Sequence, residues 1–383
     1  MNEQRIDDWD PRSPAVLDNQ VAAYDLMRRR CPVAHSNYLH WSLFRHADVV
    51  AALNDPHTFG NAVSAHQSVP NGMDPPAHTA WRSLIEPYFG TDPLAAAEPA
   101  FRRATQALVA GLPAGEVEWM DRFAHEWAVQ MLCVFMGWTA DLHEPLRAWA
   151  RRNHAATLAG DREAMAAIAF EFDGHIRAQL ALRRAGDGAA TDVTSRLLRE
   201  TMDGRPLADA EIVSIVRNWT VGELATMAAS IGVLAEYLAQ RPELQQRLRE
   251  QPDLLPAACD EILRIHPPLV ANRRMVRREV EIGGVRLTKG DRVSLLWASA
   301  NRDEAVFGDP DEFRLDRDPS LNLLYGAGIH VCPGAPLARL QLRIALELLL
   351  SQVRLAPVRE RPATRARYPA SGFSVLPLRI ERA

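Results

Sequence analysis

The stretch LLYGAGIHVCPGAPLARLQLRIALELLL, residues 323–350, concentrates the residues best suited to chemistry. A single cysteine, Cys332, stands among Gly326, Gly328 and Gly334, with His330 two residues before it. A cysteine is a strong ligand only as a thiolate, and helix N-termini favour thiolates. Cys332 lies just before the helical pattern PLARLQLRIALELLL, whose first backbone N–H groups have no partner within the helix. The glycines allow unusual dihedrals and a close approach of backbone to something flat and bulky. The other cysteines, Cys31, Cys133 and Cys259, form no CxxC pair that could seed a zinc site or a redox dithiol. They read as small buried hydrophobes.

These features suit a loop that lies along one face of a haem and presents sulfur to its iron. YGAGIHVCPGAPLAR resembles the haem-binding signature of the cytochrome P450 superfamily, aromatic-Gly-x-Gly-x-His/Arg-x-Cys-x-Gly, with Tyr325 where the family more often has Phe. The resemblance extends along nearly the whole chain. EILR supplies Glu261 and Arg264 as the family's ExxR pair, and Arg317 in FRLDR matches its third member. Residues at i and i+3 share a helix face. The family implies that this triad braces the haem loop.

The resemblance implies haem b (iron protoporphyrin IX), with Cys332 as iron ligand and Gly326 and His330 in its cradle. The two propionates need cations with good hydrogen-bond geometry. His78 and Arg82 in DPPAHTAWR, Arg274 in NRRMVRREVEI and His330 are the matching positions; Arg273 is the neighbouring alternative, and the spacing to EVEIGG favours Arg274.

The family's central helix crosses the other haem face and usually carries a small residue followed by an acid–alcohol pair that delivers protons. Here VGELAT occupies that place. Gly222 gives room, Thr226 gives the alcohol, and Ala225 stands at the acid position, where no proton can be held. Glu223, the nearby acid, projects about 200° away from Ala225 on an ideal α-helix. It serves through water only if the helix is bulged near Gly222; otherwise it makes a structural hydrogen bond on the far side. The catalytic candidates are therefore Thr226 and Glu223. The pocket candidates are Asn218, Trp219, Gly222, Val270, Asn272 and Phe373, with helix packing an equal fate for Trp219.

The elements that must position these residues are mostly helices separated by Pro/Gly turns over the first 250 residues. Residues 209–238 form the longest apolar-rich helical candidate. After Pro268, REVEIGGVRLTKGDRVSLLWAS reads as a small antiparallel sheet, and YPASGFSVLPLRIERA as a strand pair. The expected fold is mainly α with a minor antiparallel β part, the cytochrome P450 fold, as a single haem domain over residues 1–383 with no fused reductase.

The chain has 383 residues, 47% hydrophobic and 24% charged, with net charge −4, and no global basic surplus points to nucleic acid. Its acidic, polar start does not read as a signal peptide, and no apolar run reaches the roughly 20 residues of a bilayer span. A cytoplasmic enzyme without membrane or nucleic-acid partners is expected. The family implies a monooxygenase acting on a small organic molecule. A short roof loop, FGNAVSAHQSVPNGMDPP, also admits a large or carrier-tethered substrate. Electrons come from a ferredoxin or flavodoxin with its NAD(P)H-dependent reductase, docked where Arg339 and Arg343 offer a basic patch. Ala225 motivates the alternative, a peroxide-driven oxygenase or oxidative coupling enzyme on the same scaffold. A haem protein that only senses or carries a ligand is the third reading.

Overall fold

The structure is a computed structural model that describes residues 8–64, 68–186 and 190–382. These residues gather into two compact units that interleave along the chain. One comprises residues 8–64, 71–79 and 260–332, the other residues 68–70, 80–186, 190–259 and 333–382. No single cut in the sequence separates them.

The first unit is built on a five-stranded sheet. Its strands run in the order Val33–Ser36, His40–Leu43, Arg292–Leu296, Ala271–Val276 and Phe59–Gly60. Alternation of apolar residues buries Val33, Trp41, Leu43, Val293 and Leu295 in one core with Val49 and Leu53 from the helix His46–Asn54. The expected antiparallel character holds except at one ladder. Arg292–Leu296 pairs in parallel with His40–Leu43, Val293 opposite Trp41. That pairing joins segments about 250 residues apart, beyond the reach of any local turn signal. Gly283 and Gly284 turn the separate hairpin of Val280–Ile282 and Val285–Leu287, both with positive φ.

The second unit is helical. Its axis is one continuous rod from Asp209 to Ala239, long and apolar enough by composition to cross a membrane, with 72% of that apolar window buried inside the protein. It is α-helical over Asp209–Val221, π-helical over Gly222–Met227 and α-helical again over Ala228–Ala239. The helices Thr91–Ala110, His125–Met136 and Ala335–Gln352 complete its core. The C-terminal strands do not pair with each other, contrary to the expected strand pair. Phe373–Val375 joins Thr364–Arg365, while Pro377–Arg382 lies between Val353–Pro357 and Gly115–Glu118. Leu376 and Pro377 take the chain from one small sheet to the other, which a local pattern cannot distinguish from a hairpin.

Candidate active site

The cysteine loop belongs to the first unit. Gly326 and Gly328 both take left-handed φ, +74° and +67°, which only glycine adopts without strain. Gly334 is different: its φ is −80°, an ordinary value at the N-cap of the helix Ala335–Gln352. The loop is closed by Cys332 N–H donating to the Tyr325 carbonyl at 2.8 Å. Cys332 is the one exposed cysteine, whereas Cys133 and Cys259 are buried and Cys31 is half-buried. Beside it Ile329 and Val331 are also exposed, an apolar surface of the kind a flat apolar ligand covers.

Gly328 has a second constraint. A Cβ there would run into the carbonyl oxygen of Leu53, so the loop packs directly on the end of the helix His46–Asn54. Gly328→Ala combines a left-handed alanine with a backbone collision. It is expected to lower the melting temperature by several degrees, at a cost of about 1–3 kcal/mol, and to reduce haem retention in the purified protein. Unchanged melting and haem content would show that the loop rearranges freely.

The brace beneath the loop is explicit. Arg264, 1% exposed, grips Glu261 with two hydrogen bonds of 2.7 and 2.9 Å and reaches the carbonyls of Asn301 and Pro310. Arg317 Nε donates to the same Glu261 carboxylate at 3.0 Å and spreads its other nitrogens over the carbonyls of Phe307, Asp309 and Glu312. Two asparagines connect this cluster to the loop. Asn301 accepts from the backbone N–H of Leu323, and Asn322 donates to the Asp260 carbonyl while accepting from Leu324 N–H. Neither asparagine stands out in the sequence, because each acts on a loop start that only the fold brings near.

The same unit holds a cation without a counter-ion among the described residues. Arg274 is 3% exposed, and its one side-chain hydrogen bond goes to the carbonyl of its own neighbour Arg273. Desolvation pulls its pKa down from the ordinary guanidinium range to about 10, opposed by the charge of Asp74. A buried guanidinium of this kind calls for an anion, and a carboxylate such as a haem propionate would fit it. Arg273 is exposed on the strand's other face, as strand alternation requires. His78 and His330 lie together, their rings 4.2 Å apart. Replacing Arg274 with leucine is expected to act in opposite directions on the two forms. The cofactor-free chain should gain about 1–3 kcal/mol, because an uncompensated charge leaves the interior, while haem dissociates faster. Melting of both forms and haem transfer to an acceptor protein check this; destabilisation of both forms would contradict it.

In the second unit Arg82 is 8% exposed and holds Glu86 at 2.7 Å, so an incoming anion shares it with that carboxylate. Along the central helix Val221, Gly222 and Ala225 are exposed, Thr226 is half-buried, and Glu223, Leu224 and Met227 are buried. The helix therefore has an open face, with Ala225 at its middle and Thr226 at its edge. Gly222 keeps that face clear, since a Cβ there would meet nothing within 4 Å. The π-helical turn is present, and Glu223 sits on the buried side of it, opposite Ala225.

The pocket candidates separate. Asn218 is a clip: it accepts from Ser68 Oγ at 3.0 Å and donates to the Val69 carbonyl at 2.9 Å, while Ser214 Oγ accepts from Val69 N–H. These bonds fasten residues 68–70 of the roof loop to the central helix; residues 65–67 of that loop lie outside the described residues. Trp219 is packed among Tyr88, Phe89 and Phe135 with ring centroids 5.3–5.8 Å away. Phe373 is buried under the Arg365 guanidinium, 4.7 Å from its ring centre. In the first unit Val270 is buried and Asn272 is exposed, its side chain turned back to the Arg273 N–H. The basic patch is also altered: Arg343 is bound by Glu98 and Glu347, which hold Arg102 as well.

A glycine-cradled, exposed cysteine just before a helix, in the unit that also holds the buried Glu261–Arg264–Arg317 cluster and the buried Arg274, has the features of a haem-thiolate protein. The chain belongs to the cytochrome P450 family, whose profile matches residues 128–381. It is 30% identical to linalool 8-monooxygenase of Pseudomonas putida, over 82% of this chain and 83% of that protein. It is also 30% identical to erythromycin C-12 hydroxylase of Saccharopolyspora erythraea, with 85% of each chain covered. Among solved structures, a mutant of P450 EryK in complex with erythromycin B superposes with a TM-score of 0.86 at 28% identity, covering 95% of this chain and 97% of that one. CYP109Q5 from Chondromyces apiculatus gives 0.86 at 27% identity, covering 97% of each. The protein is thus an oxidoreductase with the cytochrome P450 fold, mainly helical with small sheets. The family implies a haem cofactor and a small-molecule substrate.

Proposed function

We propose that this protein is a cytoplasmic haem b monooxygenase that takes electrons from a separate ferredoxin or flavodoxin with its NAD(P)H-dependent reductase and oxidises a small organic substrate, most simply by hydroxylation. The observation that carries the reading is Cys332, exposed between left-handed glycines and a helix start in the unit that buries Arg274 without a counter-ion. Cys332 would be the axial ligand, and Arg274, His78, His330 and Arg82 would hold the propionates. The bound haem, with its electron-rich thiolate, supplies the oxidising chemistry. The chain's own residues do the rest. The bare Gly222 and Ala225 positions leave room on the central helix, and the Thr226 hydroxyl at the edge of that face holds and passes a proton. The Asn218 and Ser214 clips hold the roof loop against the same helix. A roof fastened in this way favours a substrate small enough to enter beneath it.

The test has two parts. The reduced protein should give the red-shifted carbon-monoxide difference band of a thiolate-ligated haem; its absence from freshly prepared protein would sink the assignment. Turnover with reductase and NAD(P)H should then exceed turnover on added peroxide. The reverse result favours the second reading, a peroxide-driven or oxidative coupling enzyme, which is motivated by Ala225 at the centre of the open face. The electron donor's approach should be insensitive to Arg343→Ala, since that guanidinium already has two carboxylate partners.

A further inference from the structure

Behind the bulged turn of the central helix lies a group of polar atoms that the helix itself does not explain. Glu223 is buried, and its Oε2 has no hydrogen-bond partner. Gln341, on the helix that follows Cys332, is fully buried, and neither its Nε2 nor its Oε1 is satisfied. The two side chains are close enough for the amide to act on the carboxyl, although no hydrogen bond of ordinary geometry joins them. Three unsatisfied buried polar atoms at one place are rare in a native protein, where such groups are met by protein or by ordered water. A polar, enclosed site with several partners is where internal water resides.

Among the described residues no charged neighbour compensates Glu223. On the elements around the bulge, Glu126 pairs with Arg147, Arg217 with Asp173 and Arg343 with Glu347; His125, Cys133, Glu236 and Tyr237 are further titratable groups on the helices packed against it, and none of them acts on Glu223 among the described residues. Only Gln341 acts on Glu223, and burial dominates, raising its pKa from 4.5 to about 8. The side chain is therefore a neutral acid at neutral pH. Three residues further on, Thr226 is the one half-buried residue of the turn, and i and i+3 positions lie near one another on a helix surface.

We infer that Glu223 and Gln341 enclose a hydrated compartment behind the central helix, in which Glu223 stores the proton that Thr226 passes to the open face. The inference rests on the monooxygenase reading above. The proton leaves the Glu223 carboxyl for an internal water, that water gives one of its own to the Thr226 hydroxyl, and Thr226 releases its original proton on the open side. The Glu223 carboxylate is reprotonated from solvent between turnovers. Gln341 can donate to the carboxylate and accept from the acid, so it accompanies both states. Glu223 touches neither substrate nor cofactor and acts by positioning the proton. The missing acid at Ala225 is thereby replaced from the opposite side of the helix.

The experiment compares the ferric holoenzyme with its Glu223→Gln and Thr226→Ala variants. In pH-resolved infrared difference spectra, the wild type and Thr226→Ala should show a protonated-carboxyl band at neutral pH that fades around pH 8, and Glu223→Gln should lack it. Melting gives an independent reading. A carboxyl whose folded pKa is raised keeps its full contribution below the unfolded value and loses it as pH climbs toward the folded one. The melting temperature of Glu223→Gln relative to wild type should therefore rise steadily between about pH 4.5 and pH 8. In turnover, Glu223→Gln should divert more of the reducing equivalents to peroxide and lose the wild type's pH dependence, and the double variant should be no worse than Thr226→Ala. Absence of the band at neutral pH, or a flat melting difference, overturns the inference even when the carbon-monoxide band is intact. Loss of that band in the wild type instead overturns the parent reading.

Discussion

Cys332→Ala is expected to remove the thiolate signature from the carbon-monoxide difference spectrum entirely and to reduce turnover to background. A thiolate pushes electron density into an iron, and the nearby imidazole of His330, were it to ligate instead, would not give the thiolate band. Because Cys332 is exposed, its thiol contributes little to packing, and the cofactor-free variant should melt within about 2 °C of the wild type. Spectra and melting curves recorded on the same preparations separate lost ligation from lost fold. A variant that kept the thiolate band would mean that another cysteine ligates, and burial of Cys133 and Cys259 leaves them poorly placed for that.

Arg264→Ala is the second large effect, and it acts through stability. The substitution leaves the Glu261 carboxylate buried with Arg317 as its remaining cation and strips donors from the carbonyls of Asn301 and Pro310. Breaking a buried pair from one side costs about 3–5 kcal/mol, a large share of the roughly 5–15 kcal/mol that keeps a protein folded. A fall of roughly 10 °C in melting temperature is expected, or failure to accumulate as holoprotein. Arg264→Lys should fare little better. A lysine cannot make two parallel bonds to Glu261 while also reaching two carbonyls, and the guanidinium that lies 4.7 Å from the ring centre of Phe307 would be gone. A lysine variant with wild-type melting would contradict the account.

What could be read in advance divides along a physical line. The cysteine loop was legible because its demands are local: left-handed dihedrals at Gly326 and Gly328, a ligand, and a helix start within a few residues. The spacing to EVEIGG singled out Arg274 over Arg273, and the structure buries Arg274 and exposes Arg273, as alternation along a strand produces. Glu223 could be placed opposite Ala225 from helical spacing alone. The π-helical turn could be named only as a condition, because it depends on what packs around Gly222. Gln341 was missed altogether. Its one local signal was a polar residue on the apolar stripe of Leu337 and Ala345, four residues away on either side. The Asn218 clip, the parallel ladder of Trp41 with Val293 and the engagement of Arg343 by Glu98 all join residues far apart in the chain, which no windowed pattern can report.

The isolation of Arg274 also bears on how the protein is made. A pKa lowered by burial to about 10 marks a penalty on the order of a few kcal/mol carried by the cofactor-free chain at neutral pH. If a propionate neutralises this charge as proposed, it binds the folded chain and not the unfolded one, and haem supply and folding yield become linked quantities. Under haem limitation the cell would hold a less stable, protease-sensitive fraction, and abundance would follow cofactor supply before any regulation of the gene.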